Sequence, residues 1–186
     1  FTPPSLIALK AKCLLGMNQA DKAQYVIDEL SQESINAIPL NYEDINLTKA
    51  RIFVQQENAD IALEIITRLI EKTKSKQHIY HLIQALNIKA IIQYKKHDSA
   101  SATELIKESL TLASQEGFIS VYVNEASIIS SVLALGADPS IPDNYLKKLT
   151  STLGLQVEQH SQVELPGVAA LESNKQLLEP LSQREL

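Results

Sequence analysis

The sequence predicts an all-α fold, an α-helical solenoid of about four antiparallel helix pairs, on three observations. No proline occurs from Leu40 to Asp138, and Gly117 is the only glycine of that span before Gly136, so long helices run uninterrupted. Apolar residues recur at helical spacing. Ala50, Phe53 and Val54 lie on one stripe and Ala62, Ile65, Ile66 and Leu69 on the next, with the polar run from Gln55 to Asp60 between them. The unit then repeats. Residues 12–23 align without gaps on residues 51–62, and more weakly on residues 91–102. The pairs Ala11/Ala23, Ala50/Ala62 and Ala90/Ala102 therefore recur at shifts of 39 and then 40 residues, and Ile27, Ile66 and Ile106 each follow the second alanine by four. A period of this kind marks helical hairpins that bury their apolar faces only by stacking on neighbours, with small residues where the two helices approach closely.

Pro3 and Pro4 open the first helix, where proline is tolerated, and Leu6, Ile7, Leu9, Leu14 and Leu15 supply its apolar side. Gly16-Met17-Asn18-Gln19 ends it, and a partner helix runs from about Ala20 to Ser34 with Ala23, Val26, Ile27 and Leu30 inward. In the second hairpin Asn58 is the expected N-cap and Asp60 sits in the first turn, where negative charge suits the helix dipole. The third hairpin starts near Gln77 with the stripe Ile79, Leu82, Ile83, Leu86 and Ala90. Its second helix is capped by Asp98 or Ser99, or by a Ser101–Glu104 capping box if it begins later, and Gly117 stands at the C′ position. A divergent fourth pair, Val121–Leu135 and Ile141–Leu153, is expected as the capping end of a solenoid. Residues 1–153 thus form the repeat domain. Residues 154–179 read as a polar linker with one short helix near 169–179.

A chain of 186 residues with 45% apolar and 21% charged side chains suits one domain with a substantial core. The net charge of −5 argues against this chain gripping nucleic acid, because phosphate neutralisation dominates such affinity. No apolar run approaches the length of a membrane span. The single cysteine, Cys13, cannot form an internal disulfide and is expected to pack as a small hydrophobe, so a cytoplasmic setting is expected. Phe1, in place of an initiator methionine, implies a piece of something longer.

The order Ala50, Phe53, Ala62, Ile66 resembles the tetratricopeptide repeat. The departures are a missing tryptophan, alanine where glycine is usual, no closing proline and a period longer than about 34 residues. Three stretches resemble more narrowly the large ATP-dependent LuxR-type (MalT-like) transcriptional regulators. They are the run from Leu47 to Ala90, the segment Gly117–Glu125, and Leu178-Glu-Pro-Leu-Ser-Gln-Arg-Glu-Leu186. In the second, that family commonly has arginine at Ser120 and an acidic-Glu-Gly run at Asn124-Glu125-Ala126. The resemblance covers roughly residues 1–150 and the last nine. It implies a right-handed superhelix and a truncated start of a helix-turn-helix domain at residues 180–186. It also implies an upstream ATP-binding module in the parent protein, whereas this chain has no GxxxxGK[ST] loop and no cofactor of its own is expected.

No Ser/His/Asp or Cys/His grouping carries a catalytic motif, so an enzyme is not expected. His78 and His81 lie three apart with His97 at the following turn. The pattern places no further converging ligand, so they are read as solvent-facing rather than metal-binding. Glu64-Arg68-Lys72 reads as a solvated outer face.

In a right-handed repeat solenoid the first helices of the pairs line the concave side. In the third copy their free stripe is read as Tyr80, Gln84, Asn87, Ile91 and Tyr94, matching Leu40, Asp44, Leu47, Arg51 and Val54 in the second. Lys12 corresponds to Arg51 in the first copy. The candidate ligand-binding residues are therefore Lys12, Asp44, Arg51, Tyr80, Gln84, Asn87 and Tyr94, and the plainer alternative is that they are ordinary surface residues. The function expected is a ligand- or partner-sensing domain of a cytosolic bacterial regulator, taking a small-molecule inducer or a regulatory protein. Self-association is expected only in the parent protein. The alternative is a general scaffold for a partner peptide with no small-molecule role.

Overall fold

A computed structural model describes residues 4–33, 42–134 and 139–155. The chain divides into a unit Phe1–Gln156 and a unit Val157–Leu186, and all described residues belong to the first. The expected linker, its short helix and the helix-turn-helix start lie outside them, apart from Gly154 and Leu155. The described residues form α1 (Pro4–Gly16), α2 (Ala20–Glu33), α3 (Tyr42–Gln55), α4 (Ala59–Lys76), α5 (Ile79–Lys95), α6 (Ser99–Glu116), a 3-10 helix (Ser120–Glu125), α7 (Ala126–Ala134) and α8 (Asp143–Leu153). Among them there is no strand, and no helix is long and apolar enough to cross a membrane.

The backbone repeats as the side chains do. Within each of the first three pairs the turn passes through one residue with positive φ: Asn18 (57°), Glu57 (63°) and His97 (63°). The next N–H then closes back on the carbonyl five residues earlier, in Gln19 to Leu14 (2.9 Å), Asn58 to Phe53 (2.8 Å) and Asp98 to Gln93 (3.0 Å). Left-handed backbone with this bond satisfies carbonyls that the ending helix leaves without partners. The turns after α4 and α6 do the same through Gln77 (φ 57°) and Gly117 (φ 73°), with His78 to Thr73 and Phe118 to Ala113 both 3.0 Å. Asn58 occupies the N-cap position of α4, but its side chain makes no cap bond. Asp98 does cap α6, accepting from the Ser101 N–H at 3.1 Å. Because α6 begins at Ser99, the later capping box is not used, and Glu104 pairs with Lys107 instead.

Ala11, Ala23, Ala50, Ala62 and Ala90 are completely buried and Ala102 nearly so, with Ile27, Ile66 and Ile106 sealed behind them. Each core cluster joins one pair to the first helix of the next. Ile52 of α3 completes the cluster of α1 and α2. Ala85, Ile88 and Ile92 of α5 complete that of α3 and α4. Tyr122, Ile128, Ile129 and Val132 join α5 and α6, together with Ile141, Tyr145 and Leu149. Accordingly α1 touches α3, α3 touches α5 and α5 touches the 3-10 helix, while α2 touches α3, α4 touches α5 and α6 touches α7. Full burial of one leucine or isoleucine stabilises by about 1.5–3 kcal/mol, so these shared residues bind neighbouring pairs into one body.

Three expectations need correction. Leu6 and Leu9 are exposed and α1 is buried instead through Ala8, Ala11 and Leu15, because the outer side of α1 meets no helix among the described residues. Cys13 shares that outer side and is exposed rather than packed. The helix expected over Val121–Leu135 is broken into the 3-10 helix and α7. In a 3-10 helix residues three apart eclipse one another, and here that aligns the buried side chains of Tyr122 and Glu125.

Candidate functional site

A groove with a cavity volume of about 670 Å³ is framed by α1, α3, α5 and the 3-10 helix. Lys12 and Arg51 enter it from equivalent positions of α1 and α3. The stripe Tyr80, Gln84, Ile88 and Ile91 of α5 forms one wall, and Ser120, Val121 and Asn124 close the far side. The turn residue Asn18 and Gln55 add amides, and Leu15 and Val54 add apolar surface. Among the described residues, Lys12 and Arg51 are the only charged ones in the lining.

Both cations are held by carboxylates. Arg51 Nη1 donates to Glu125 Oε1 at 2.7 Å across 74 residues of sequence, and the Glu125 side chain is 1% exposed. Its second oxygen, Oε2, is buried without a hydrogen-bond partner among the described residues. A buried carboxylate so placed relies on its cation, since an uncompensated charge in the interior costs several kcal/mol. Lys12 Nζ donates to Asp44 Oδ1 at 2.8 Å, and both side chains are about one-third exposed. His81 Nε2 lies 4.0 Å from Asp44 Oδ2. The His81 imidazole, with the Lys12 ammonium, holds the Asp44 carboxyl well below the usual carboxylate range in spite of burial. Beside it, burial pushes the Glu43 carboxyl up, but its backbone N–H and His78, whose Nδ1 is 3.3 Å from Oε1, outweigh that and leave it lowered. His78 and His81 are therefore not simply solvent-facing. Each faces a carboxylate on α3. Among the described residues no group of three or more His, Cys, Asp or Glu is arranged to hold a metal ion.

Tyr80 presents its ring at the α5 wall, packed edge-on against Phe118 at 5.5 Å and against His81 at 5.6 Å. Gln55 Nε2 donates to the Leu15 carbonyl at 3.2 Å and so pins α3 to α1 at the groove floor. The site combines two anchored cations, several amides and hydroxyls, one aromatic edge and an aliphatic floor. That mixture is of the kind that suits a small polar molecule, and among the described lining residues no nucleophile is paired with a base.

Of the seven candidate residues, Lys12, Arg51, Tyr80 and Gln84 line the groove. Asp44 stands behind Lys12 as its counter-ion and is not part of the lining. Asn87 and Tyr94 are corrections. Asn87 is completely buried, accepting from Ser109 Oγ at 2.6 Å on α6. The Tyr122 hydroxyl lies 2.9 Å from Ser109 Oγ, and burial pushes the Tyr122 phenol well up. Tyr94 is 52% exposed in the last turn of α5 and is not among the lining residues. At about 100° per residue, Gln84, Ile88 and Ile91 stay on one line, whereas Asn87 and Tyr94 rotate toward the side that meets α6 or solvent. Leu47, the equivalent of Asn87 in α3, is also completely buried. Glu125, the main electrostatic partner of the site, was not among the candidates. The available signal was an acid standing 40 residues after Ala85, which is completely buried.

No family model, no curated protein and no solved structure matches the chain.

Proposed function

We propose that residues 4–155 belong to a non-enzymatic sensing domain of a bacterial transcriptional regulator of the ATP-dependent LuxR type, and that the groove takes its inducer or regulatory protein. In this reading the helix pairs form a right-handed tetratricopeptide-like solenoid with α1, α3 and α5 on its concave side. The recurrence of the same turn bonds at shifts of 39 and 40 residues supports it. The carrying observation is the groove itself. Residues from three successive first helices and from the 3-10 helix converge on one cavity of about 670 Å³, a size suited to a small molecule. The parent protein, with ATP bound upstream and a helix-turn-helix downstream, would read occupancy of the groove as a shift in self-association and DNA binding.

Thermal-shift screening against a metabolite library tests the reading, because a ligand that binds only the folded state raises the melting temperature. A hit should stabilise the native chain and fail to stabilise Tyr80→Ala and Gln84→Ala, both of which leave the core intact. Hits that stabilise those variants equally well would place the ligand elsewhere. A screen without small-molecule hits, together with capture of an extended peptide by the same residues, would favour the partner-peptide alternative.

A further inference from the structure

We infer that the exposed apolar stripe of α1, formed by Leu6, Leu9 and Cys13, is a docking face for a further helical hairpin of the same class as those inside the fold. The stripe has an equivalent on every later first helix. At shifts of 39 and 40 residues its positions become Ile45, Thr48 and Ile52 on α3, then Ala85, Ile88 and Ile92 on α5. A further 40 residues on they become Glu125, Ile128 and Val132 across the 3-10 helix and α7. Thr48 and Ile52 are completely buried, and all six residues of the two later copies are at most 7% exposed.

The apolar ones among them pack in the core cluster of the preceding pair. Ile52 packs in the cluster of α1 and α2, Ala85, Ile88 and Ile92 in that of α3 and α4, and Ile128 and Val132 in that of α5 and α6. On α1 the same positions are apolar, yet Leu6 is 54% exposed, Leu9 is 56% exposed and Cys13 is exposed. Met17, one turn further on, is 58% exposed. Two leucines and a cysteine on one side of a helix form a face suited to contact with protein.

Continuity with the interface between consecutive pairs defines the occupant. It is a two-helix hairpin whose inner side offers Ala, Val, Ile and Leu, as Ala23, Val26 and Ile27 do to Ile52. A second copy stacked head to tail would offer α7, where Ser127, Ser130 and Ser131 face solvent, and that polar side does not match the stripe. The inference stands on the packing alone and does not depend on the sensing function.

The test is a chain carrying a duplicate of residues 42–79 directly ahead of Phe1, which places α3 and α4 in repeat register before α1. Relative to the native chain we expect more helical circular dichroism and Cys13 alkylation by a maleimide slowed by about tenfold or more, because a thiol under a docked helix reacts only through opening. Leu9→Glu should then lower the melting temperature of the extended chain and leave the native chain nearly unchanged. Unchanged Cys13 reactivity alongside a full helical gain would overturn the inference. So would equal sensitivity of both chains to Leu9→Glu. A native chain that sediments as a dimer, and as a monomer after Leu9→Glu, would assign the stripe to a second copy and also overturn it. If the added hairpin contributes no helix, a second extension built from residues 82–119 takes its place, and failure of both to dock rejects the face.

Discussion

Replacing Arg51 by methionine keeps most of the apolar volume of its side chain, removes its charge and strands the Glu125 carboxylate. Glu125 Oε1 then loses its 2.7 Å donor while Oε2 has none among the described residues, and at 1% exposure the side chain has almost no water to turn to. Breaking a buried pair from one side costs about 3–5 kcal/mol. Arg51 itself is 24% exposed, so some solvent reaches the pair and the low end, about 3 kcal/mol, is the expected loss. For a domain of this size each 1 kcal/mol shifts the melting temperature by about 2–4 °C, which makes the expected drop roughly 6–12 °C. Lys12→Met is the internal control. Both partners of Lys12–Asp44 are about one-third exposed, and such a pair contributes roughly 0.2–1 kcal/mol. Adding Glu125→Gln to Arg51→Met should recover much of the loss, because the stranded charge is gone. Urea denaturation of the three variants and the native chain measures this. Equal small losses for Arg51→Met and Lys12→Met, or no recovery in the double variant, would refute the view that a buried charge pair ties the 3-10 helix to α3.

Three further outcomes are expected. Ala62→Leu should overpack the closest approach of α3 and α4 and cost about 1–3 kcal/mol, whereas Glu64→Leu on the exposed side of α4 should stay within about 0.5 kcal/mol, both read from urea midpoints. Tyr122→Phe should cost about 1 kcal/mol, since it removes one bond to Ser109 Oγ while Ser109 keeps its bond to Asn87, and an effect of several kcal/mol would show that the hydroxyl does more. Asp44 and Glu43 both titrate below their ordinary values in the folded chain, so the stability they contribute is complete above about pH 5 and is lost as pH falls through their folded values. Asp44→Asn should flatten that acid limb, as measured by melting temperature against pH, and an unchanged slope would remove Asp44 as its source.

Residues close in sequence determined a great deal of this protein. The proline-free span, the alanine pairs and the αL turns are local features, and the same 39- and 40-residue shifts that relate Ala11, Ala50 and Ala90 also relate Asn18, Glu57 and His97. Helix existence, hairpin pairing and the buried Ala–Ile stripes follow from that periodicity, because a repeated pattern of small and branched side chains has one way to close on its neighbour. Four of the groove residues were legible on the same basis, each lying on the stripe of its helix that the core pattern leaves free.

Tertiary structure alone decided which polar positions face the groove and which face the partner helix. Asn87 and Gln84 are both polar and lie three residues apart, yet the packing of α6 covers one and leaves the other open. Only the folded chain brings Glu125 to Arg51, because the 3-10 geometry that aligns it with Tyr122 depends on burial against α5 and α6. The exposure of Leu6, Leu9 and Cys13 was equally beyond local reading. A stripe records that a helix is built to be covered, and whether anything covers it depends on what packs there.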